Sequence, residues 1–163
     1  MQHHTQTTAA TFAAVLGVLR VSGHVADMWV QTDYQARRKG AYDDAPLVEK
    51  DEHGHVTGTY GSREGRLACA QHVLSYVGTQ GAALFTANRF LGLGLRPSRI
   101  AAALLLSGTT HYVIDRRRPL KNFAHATGKG HFHDRLAPIC GSFELDQAAH
   151  HLFEGIAAGV AAR

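Results

Sequence analysis

Histidine and aspartate recur along this sequence at the spacing of one helical turn. Three segments pair an imidazole with a carboxylate three or four residues away, and the pairs are His24/Asp27, His111/Asp115 and Asp146/His150. Side chains at these spacings share one face of an α-helix. Gln31 extends the first stripe by one more turn, and His72 adds an imidazole to an otherwise apolar stretch. The sequence thus predicts four helices that each carry at least one imidazole.

The chemistry that such a set supports is metal binding. Helical proteins build metal sites by directing carboxylates and imidazoles inward from facing helices. This donor set suits Zn, Mn or Fe, because no thiolate favours softer metals. Buried carboxylates are also costly unless they are paired or bind metal. We therefore predict that a site for one or two divalent ions is built from His24, Asp27, His72, His111, Asp115, Asp146 and His150.

A basic run lies next to this set. Three arginines directly follow Asp115, and a lysine comes three residues after the last of them. Guanidinium groups bind phosphate and carboxylate oxygens through paired hydrogen bonds, although basic residues at a helix C-terminus also simply offset the helix dipole. We expect a small anionic or phosphorylated substrate, with the binding residues Gln31, Arg116, Arg117, Arg118 and Lys121.

These residues together indicate a reaction class. A bound metal ion lowers the pKa of its water toward neutrality and polarises a phosphoryl oxygen, and Asp27 or Asp146 would be the catalytic carboxylate that takes the proton. The sequence contains no serine nucleophile elbow, phosphate-binding glycine loop or dinucleotide fingerprint. We therefore expect a metal-dependent hydrolase that acts on a phosphoester.

Two other classes of function stay open at this point. A non-catalytic helical binding protein would use the His/Asp network, or a structural metal, only to fix its fold. A nucleic-acid-binding regulator would use the basic run, but the net charge is only +4 and the sequence has no recognition motif. Three further histidines, His125, His131 and His133, are expected either to be solvated or to line the entrance of the site.

Length and composition predict one soluble domain. The 163 residues are 45% hydrophobic and include two cysteines, so the chain can bury a core but has no disulfide framework or four-cysteine zinc site. We find no segment typical of a signal peptide. Polar residues interrupt the apolar segments 67–88 and 100–114, which therefore resemble core helices more than membrane spans. We expect a cytoplasmic monomer or homodimer.

Apolar periodicity and turn residues divide the chain into elements. Helices are predicted over residues 8–38, 63–91, 97–117 and 142–161. Alternation over 47–60 predicts a small β-hairpin inside an insertion at 41–62, whereas 122–141 has no period and is predicted to be a long loop. The fold class is all-α: a single domain over residues 1–163, built as a compact bundle of four main helices.

Six short strings, taken in order, carry a family resemblance. They are Gly23-His24-Val25-Ala26-Asp27, Gln31-Thr32-Asp33-Tyr34-Gln35-Ala36, Lys39-Gly40, His72-Val73-Leu74-Ser75-Tyr76, Thr110-His111-Tyr112-Val113-Ile114-Asp115 and Asp146-Gln147-Ala148-Ala149-His150. The chain thereby resembles a bacterial and phage family known only as a domain of unknown function. Many members look like small integral membrane proteins, and their His/Asp pattern is similar to that of metal-dependent inner-membrane hydrolases and, more distantly, of helical zinc phospholipases. The resemblance implies a metal-site fold and membrane association.

Overall fold

Helices account for most of this protein. The computed structural model describes the backbone of residues 2–163 and the side chains of residues 8–163. Within that part, 72% of the chain is helical, in seven α-helices, and two strands form a small antiparallel sheet. The predicted helical fold class and the small hairpin are thereby confirmed.

The elements follow one another in a simple order. A π-helical turn, Ala26–Val30, separates the first two helices. The elements are α1 (Gln2–Val25), α2 (Asp33–Arg38), β1 (Leu47–Lys50), β2 (Val56–Tyr60), α3 (Ser62–Leu91), α4 (Pro97–Asp115), α5 (Arg118–Ala126), α6 (Gly130–His133) and α7 (Gly141–Ala161). Helix α3 is continuous through Gly78 and Gly81.

The four longest helices pack on one another. Helix α4 contacts α3 and α7, and α1 contacts the same two helices. Their apolar core includes Leu19, Leu84, Ala103 and Ala157, one from each helix. Apart from His24, the predicted ligands on these helices and on the turn after α1 lie seven to twelve residues from these core positions, or about 10–18 Å along each axis. The apolar core therefore occupies one part of the packed helices and leaves another part for the polar residues.

The first predicted helix does not continue to residue 38. It ends at Val25 and widens into the π-turn, where the N–H of Gln31 donates to the carbonyl of Ala26. Thr32 then starts α2 with a capping box: its hydroxyl accepts from the N–H of Gln35, and the Gln35 side chain accepts from the N–H of Thr32. A continuous helix was therefore the wrong prediction for this segment, because the wide turn and a new cap restart the helix.

The predicted loop at 122–141 contains regular structure, which corrects the sequence analysis. Helix α4 ends at Asp115, and Pro119 lies in the first turn of α5, a position where proline favours a helix start. Helix α5 ends in a Schellman motif: Gly128 has φ 76°, and the N–H of Lys129 donates to the carbonyl of Ala124. The short helix α6 follows at once.

One helical segment passes a composition test for a membrane span. Thr8–Val30 is long and apolar enough to cross a membrane, and it is the one such segment in the part of the chain that the structure describes. It differs from 67–88 and 100–114, the two apolar segments compared with membrane spans above. Core helices of soluble proteins and signal sequences pass the same test, and 28% of an 18-residue window within this segment is buried.

Candidate metal centre

Six of the seven predicted ligands converge at one place. They come from the π-turn and from α3, α4 and α7, and they form three overlapping groups whose potential ligand atoms lie within 4.8 Å of one another. The six residues are Asp27, His72, His111, Asp115, Asp146 and His150. We call this set the central cluster. The helical spacing of the pairs on α4 and α7 brings each of those pairs to the cluster as expected.

Asp115 lies at the middle of the central cluster and is almost fully buried. Its Oδ2 atom is 3.1 Å from the Nε2 of His72 and 3.1 Å from the Nε2 of His111. Its Oδ1 atom lies 4.0 Å from the Nε2 of His150. The two oxygens of one carboxylate therefore face two different sets of imidazoles.

Asp27 approaches the same two imidazoles from the π-turn. Its Oδ1 atom is 3.0 Å from the Nε2 of His72 and 3.4 Å from that of His111. Burial alone would raise the pKa of Asp27 and of Asp115, but hydrogen bonds from the two histidines outweigh it and hold both carboxyl pKa values well below their usual range. For the same reason the pKa values of His72 and His111 are raised despite burial.

The histidine nitrogens fit a metal ion. The Nδ1 of His150 donates to the backbone carbonyl of Asp146 over 2.8 Å. In the neutral ring this leaves a lone pair on Nε2, which is buried and has no hydrogen-bond partner among the described residues. The Nε2 atoms of His72 and His111 also face each other at 2.9 Å. An imidazole oriented through its other ring nitrogen, as His150 is, is a typical metal ligand. The Nδ1 atoms of His72 and His111 have no hydrogen-bond partner among the described residues, and the N/O donor set suits Zn, Mn or Fe.

The central cluster opens onto a cavity of about 710 Å³. Asp27, Asp115 and Asp146 all lie in its wall. Four of the five residues predicted to bind substrate also line it, namely Gln31, Arg117, Arg118 and Lys121. The Nε2 of Gln31 is buried there without a hydrogen-bond partner in the described chain. Carboxylates and basic groups therefore share one concave surface.

Two predicted site residues lie elsewhere. His24 is exposed and belongs to none of the potential ligand groups among the described residues. The wider π-turn begins between His24 and Asp27, so the two no longer share the face that a regular helix would give them. Arg116 is buried, and its guanidinium donates to the carbonyls of Lys39 and Ala41 over 2.6 and 2.8 Å. Its role is to hold the segment after α2 against α4.

Lys39 is a site residue that the sequence analysis missed. Its Nζ atom donates to the Oδ2 of Asp115 over 2.9 Å, and Lys39 also lines the cavity. The two residues are 76 positions apart in sequence, so no helical periodicity links them. The only local signal was the string Lys39-Gly40 at the end of a helical pattern.

A buried polar chain supports the ring of His111. The Tyr76 ring stacks on it with centroids 3.8 Å apart, and the Tyr76 hydroxyl donates to Glu154 over 2.9 Å. Gln80 donates to the Tyr76 hydroxyl over 3.0 Å and accepts from Ser107 over 2.8 Å. Burial raises the pKa of Glu154. Because each group has a partner, this network fixes the orientation of a ligand ring.

We expect Gly23→Ala to destabilise the protein by about 1–3 kcal/mol, because a Cβ at this position collides with the side chains of Glu154 and Tyr76. Gly17→Ala is the matched control on the same helix, since nothing lies within 4 Å of its added Cβ. The control should gain about 0.5–1 kcal/mol from helix propensity. Urea unfolding measures the free energy of unfolding of both variants. Equal stability of the two variants would contradict the close packing of Gly23 against Glu154 and Tyr76.

Comparisons with known proteins provide no assignment for this site. No family model matches the chain, and neither the curated proteins nor the solved structures contain a match. The family resemblance noted from the motifs stays a prediction. The interpretation of the central cluster therefore depends on its geometry and chemistry.

Proposed function

We propose that the protein is a metal-dependent hydrolase that acts on a phosphoester. The observation that supports this most directly is the position of the central cluster in the wall of an open, basic cavity. Six potential ligands meet there, and the same cavity is lined by Lys39, Arg117, Arg118 and Lys121. Metal ligands beside several cations match the needs of a phosphoester, whose charged oxygens must be bound near the metal.

The ligand set divides between two positions. His72, His111 and Asp27 would hold one ion, and His150 and Asp146 would hold a second. Asp115 would serve both, since its Oδ2 faces the first pair of histidines and its Oδ1 faces His150. Bound divalent ions supply a Lewis acid for the phosphoryl oxygen and lower the pKa of a water molecule. We also propose that α1, α3, α4 and α7 form a four-helix bundle and that both ion positions lie inside it.

The remaining residues bind the substrate and move the proton. Lys121 would hold the phosphoryl oxygens, together with Arg117 and Arg118 once these exchange the Ala36 carbonyl and the Asp44 carboxylate that they bind in this structure. Gln31 offers an unpaired amide N–H within the same cavity. Asp27 already contacts two histidines, whereas the Asp146 side chain is more exposed, at 24% against 10%. We therefore assign proton transfer to Asp146, through the carboxylate oxygen that would not bind the ion. Lys39 pairs with Asp115 and holds that carboxylate toward the ligands.

The openness of the site favours this proposal over the two alternatives. A structural metal that only fixes the fold is normally enclosed by protein ligands, whereas three carboxylates of the central cluster line a cavity. A nucleic-acid-binding surface would expose its basic run along one face. Here Arg116 is buried against the backbone, and Arg117 and Arg118 face a concavity.

The test is hydrolysis of p-nitrophenyl phosphate and bis-p-nitrophenyl phosphate by protein stripped with chelator and then reloaded with Zn, Mn or Fe. We expect turnover only after reloading. Lys121→Ala should raise KM by about tenfold, the effect of losing ~1.4 kcal/mol of anion binding, with little change in kcat. Lys129→Ala is the matched control, because Lys129 lies on the neighbouring segment outside the cavity lining. Metal-loaded protein that hydrolyses neither compound would count against the proposal.

A further inference from the structure

A second cluster of histidine and aspartate lies outside the central cluster. It consists of His125 on α5, His133 at the end of α6 and the adjacent Asp134, and their potential ligand atoms lie within 4.8 Å of one another. The Oδ2 of Asp134 is 3.1 Å from the Nε2 of His125, and its Oδ1 is 2.8 Å from the Nδ1 of His133. None of the three residues belongs to the central cluster.

We propose that these three residues form a second divalent-metal site, of the zinc type, that clamps α5 to α6. Zinc binds imidazole nitrogen and carboxylate oxygen at about 2.0–2.2 Å in tetrahedral geometry. Ligand atoms in such a site are therefore about 3.3 Å apart, close to the spacing described for Asp134 and the two rings. Three protein ligands leave one coordination position for water.

The backbone around this second cluster leaves room for the His125 ring. The Schellman motif with Gly128 turns the chain sharply, so that α6 folds back on α5. A Cβ atom at Gly130 would lie only 2.6 Å from the Nδ1 of His125. The absence of a side chain at position 130 is what allows the His125 ring to face Asp134.

The position of the second site indicates its role. His133 lines the large cavity together with Leu120 and Lys121 from α5. An ion bound to His125 and His133 ties the segment that carries Lys121 to the segment that carries His133. The site therefore stabilises one wall of the cavity, and its existence does not depend on the hydrolase proposal.

Zinc binding to the full chain tests the site, by equilibrium dialysis with elemental analysis. Wild-type protein should bind one more equivalent of Zn²⁺ than His125→Ala. His131→Ala is the matched control, since His131 is an exposed histidine on α6 in no such cluster among the described residues, and it should bind as much as wild type. Gly130→Ala keeps all three ligands but displaces the His125 ring, so it should also lose the extra equivalent.

Nitrogen NMR of the histidine rings gives an independent measurement. The structure predicts that Zn²⁺ binds His125 through Nε2 and His133 through Nδ1, so the two rings should adopt opposite tautomers on zinc addition. Circular dichroism checks that each variant is folded. If Gly130→Ala does not fold, the comparison of wild type with His125→Ala still tests the site. Equal zinc content in wild type and folded His125→Ala, or unchanged ring nitrogen shifts at both histidines, would overturn the proposal.

Discussion

Asp115→Asn is expected to remove metal binding at the central cluster and, with it, all metal-dependent hydrolysis. One oxygen of Asp115 lies 3.1 Å from two imidazole nitrogens and the other faces a third. Asparagine keeps the size but replaces one oxygen and the negative charge. Substituting a residue that only hydrogen-bonds to a metal ligand already lowers metal affinity by about 10–100-fold. Because Asp115 is proposed as a ligand itself, we expect the affinity to fall by more than about 100-fold, and metal content after dialysis measures this loss.

The control for this experiment is Asp33→Asn, an exposed carboxylate in the first turn of α2. It should keep the wild-type metal content and activity. Asp115 also pairs with Lys39, which offers a competing role. If Asp115→Asn retained its metal and were destabilised equally with and without chelator, Asp115 would be only the partner of Lys39.

Metal-free and metal-loaded protein should respond to pH in opposite ways. In the metal-free fold the pKa values of His72 and His111 lie above the ordinary 6.5. Their charged forms therefore stabilise the fold below about pH 6.5, and this contribution is lost as the pH rises through the folded pKa values. The pKa values of Asp27 and Asp115 lie below the ordinary 3.8, so their contribution is present above that pH and is lost only in strong acid. The free energy of unfolding of the metal-free protein should therefore be highest between about pH 3.8 and pH 6.5.

Metal binding requires neutral imidazoles, so its affinity increases with pH. The difference in Tm between metal-loaded and metal-free protein should therefore widen as the pH rises past about 6.5. Thermal unfolding at a series of pH values on both sides of neutrality, with and without chelator, measures this difference in Tm. In folded His72→Gln or His111→Gln protein the metal-free curve should flatten, whereas His131→Ala should keep the wild-type curve. A metal-free Tm that rises steadily above neutral pH would contradict the ion pairs of the central cluster.

Much of the helical framework was accessible from local sequence. Apolar periodicity together with Pro97 and Gly92 placed α3 and α4 within two residues of their ends. The pairs His111/Asp115 and Asp146/His150 reach the central cluster because regular helix geometry holds at those positions. Fold class and four of the ligands therefore followed from rules that act over one or two turns.

The remaining errors arise where local rules stop applying. His24 was assigned to the site on the assumption of a regular helix, and the π-turn removes that assumption. Lys39 reaches Asp115 only through packing of distant segments. Arg116 is adjacent to a ligand in sequence, but tertiary contacts with the carbonyls of Lys39 and Ala41 direct it away from the cavity. Such contacts depend on the whole fold and cannot be read from spacing.

The π-turn at Ala26–Val30 makes the length of this segment more important than its composition. Met28, Trp29 and Val30 are exposed, so their side chains can change at little cost to the core. Adding or removing a residue of α1 ahead of Asp27 would instead turn the Asp27 side chain about the helix axis by about 100°, at 3.6 residues per turn. Asp27 would then lose its contacts with His72 and His111. Over evolutionary time this stretch should accept many substitutions but very few insertions or deletions.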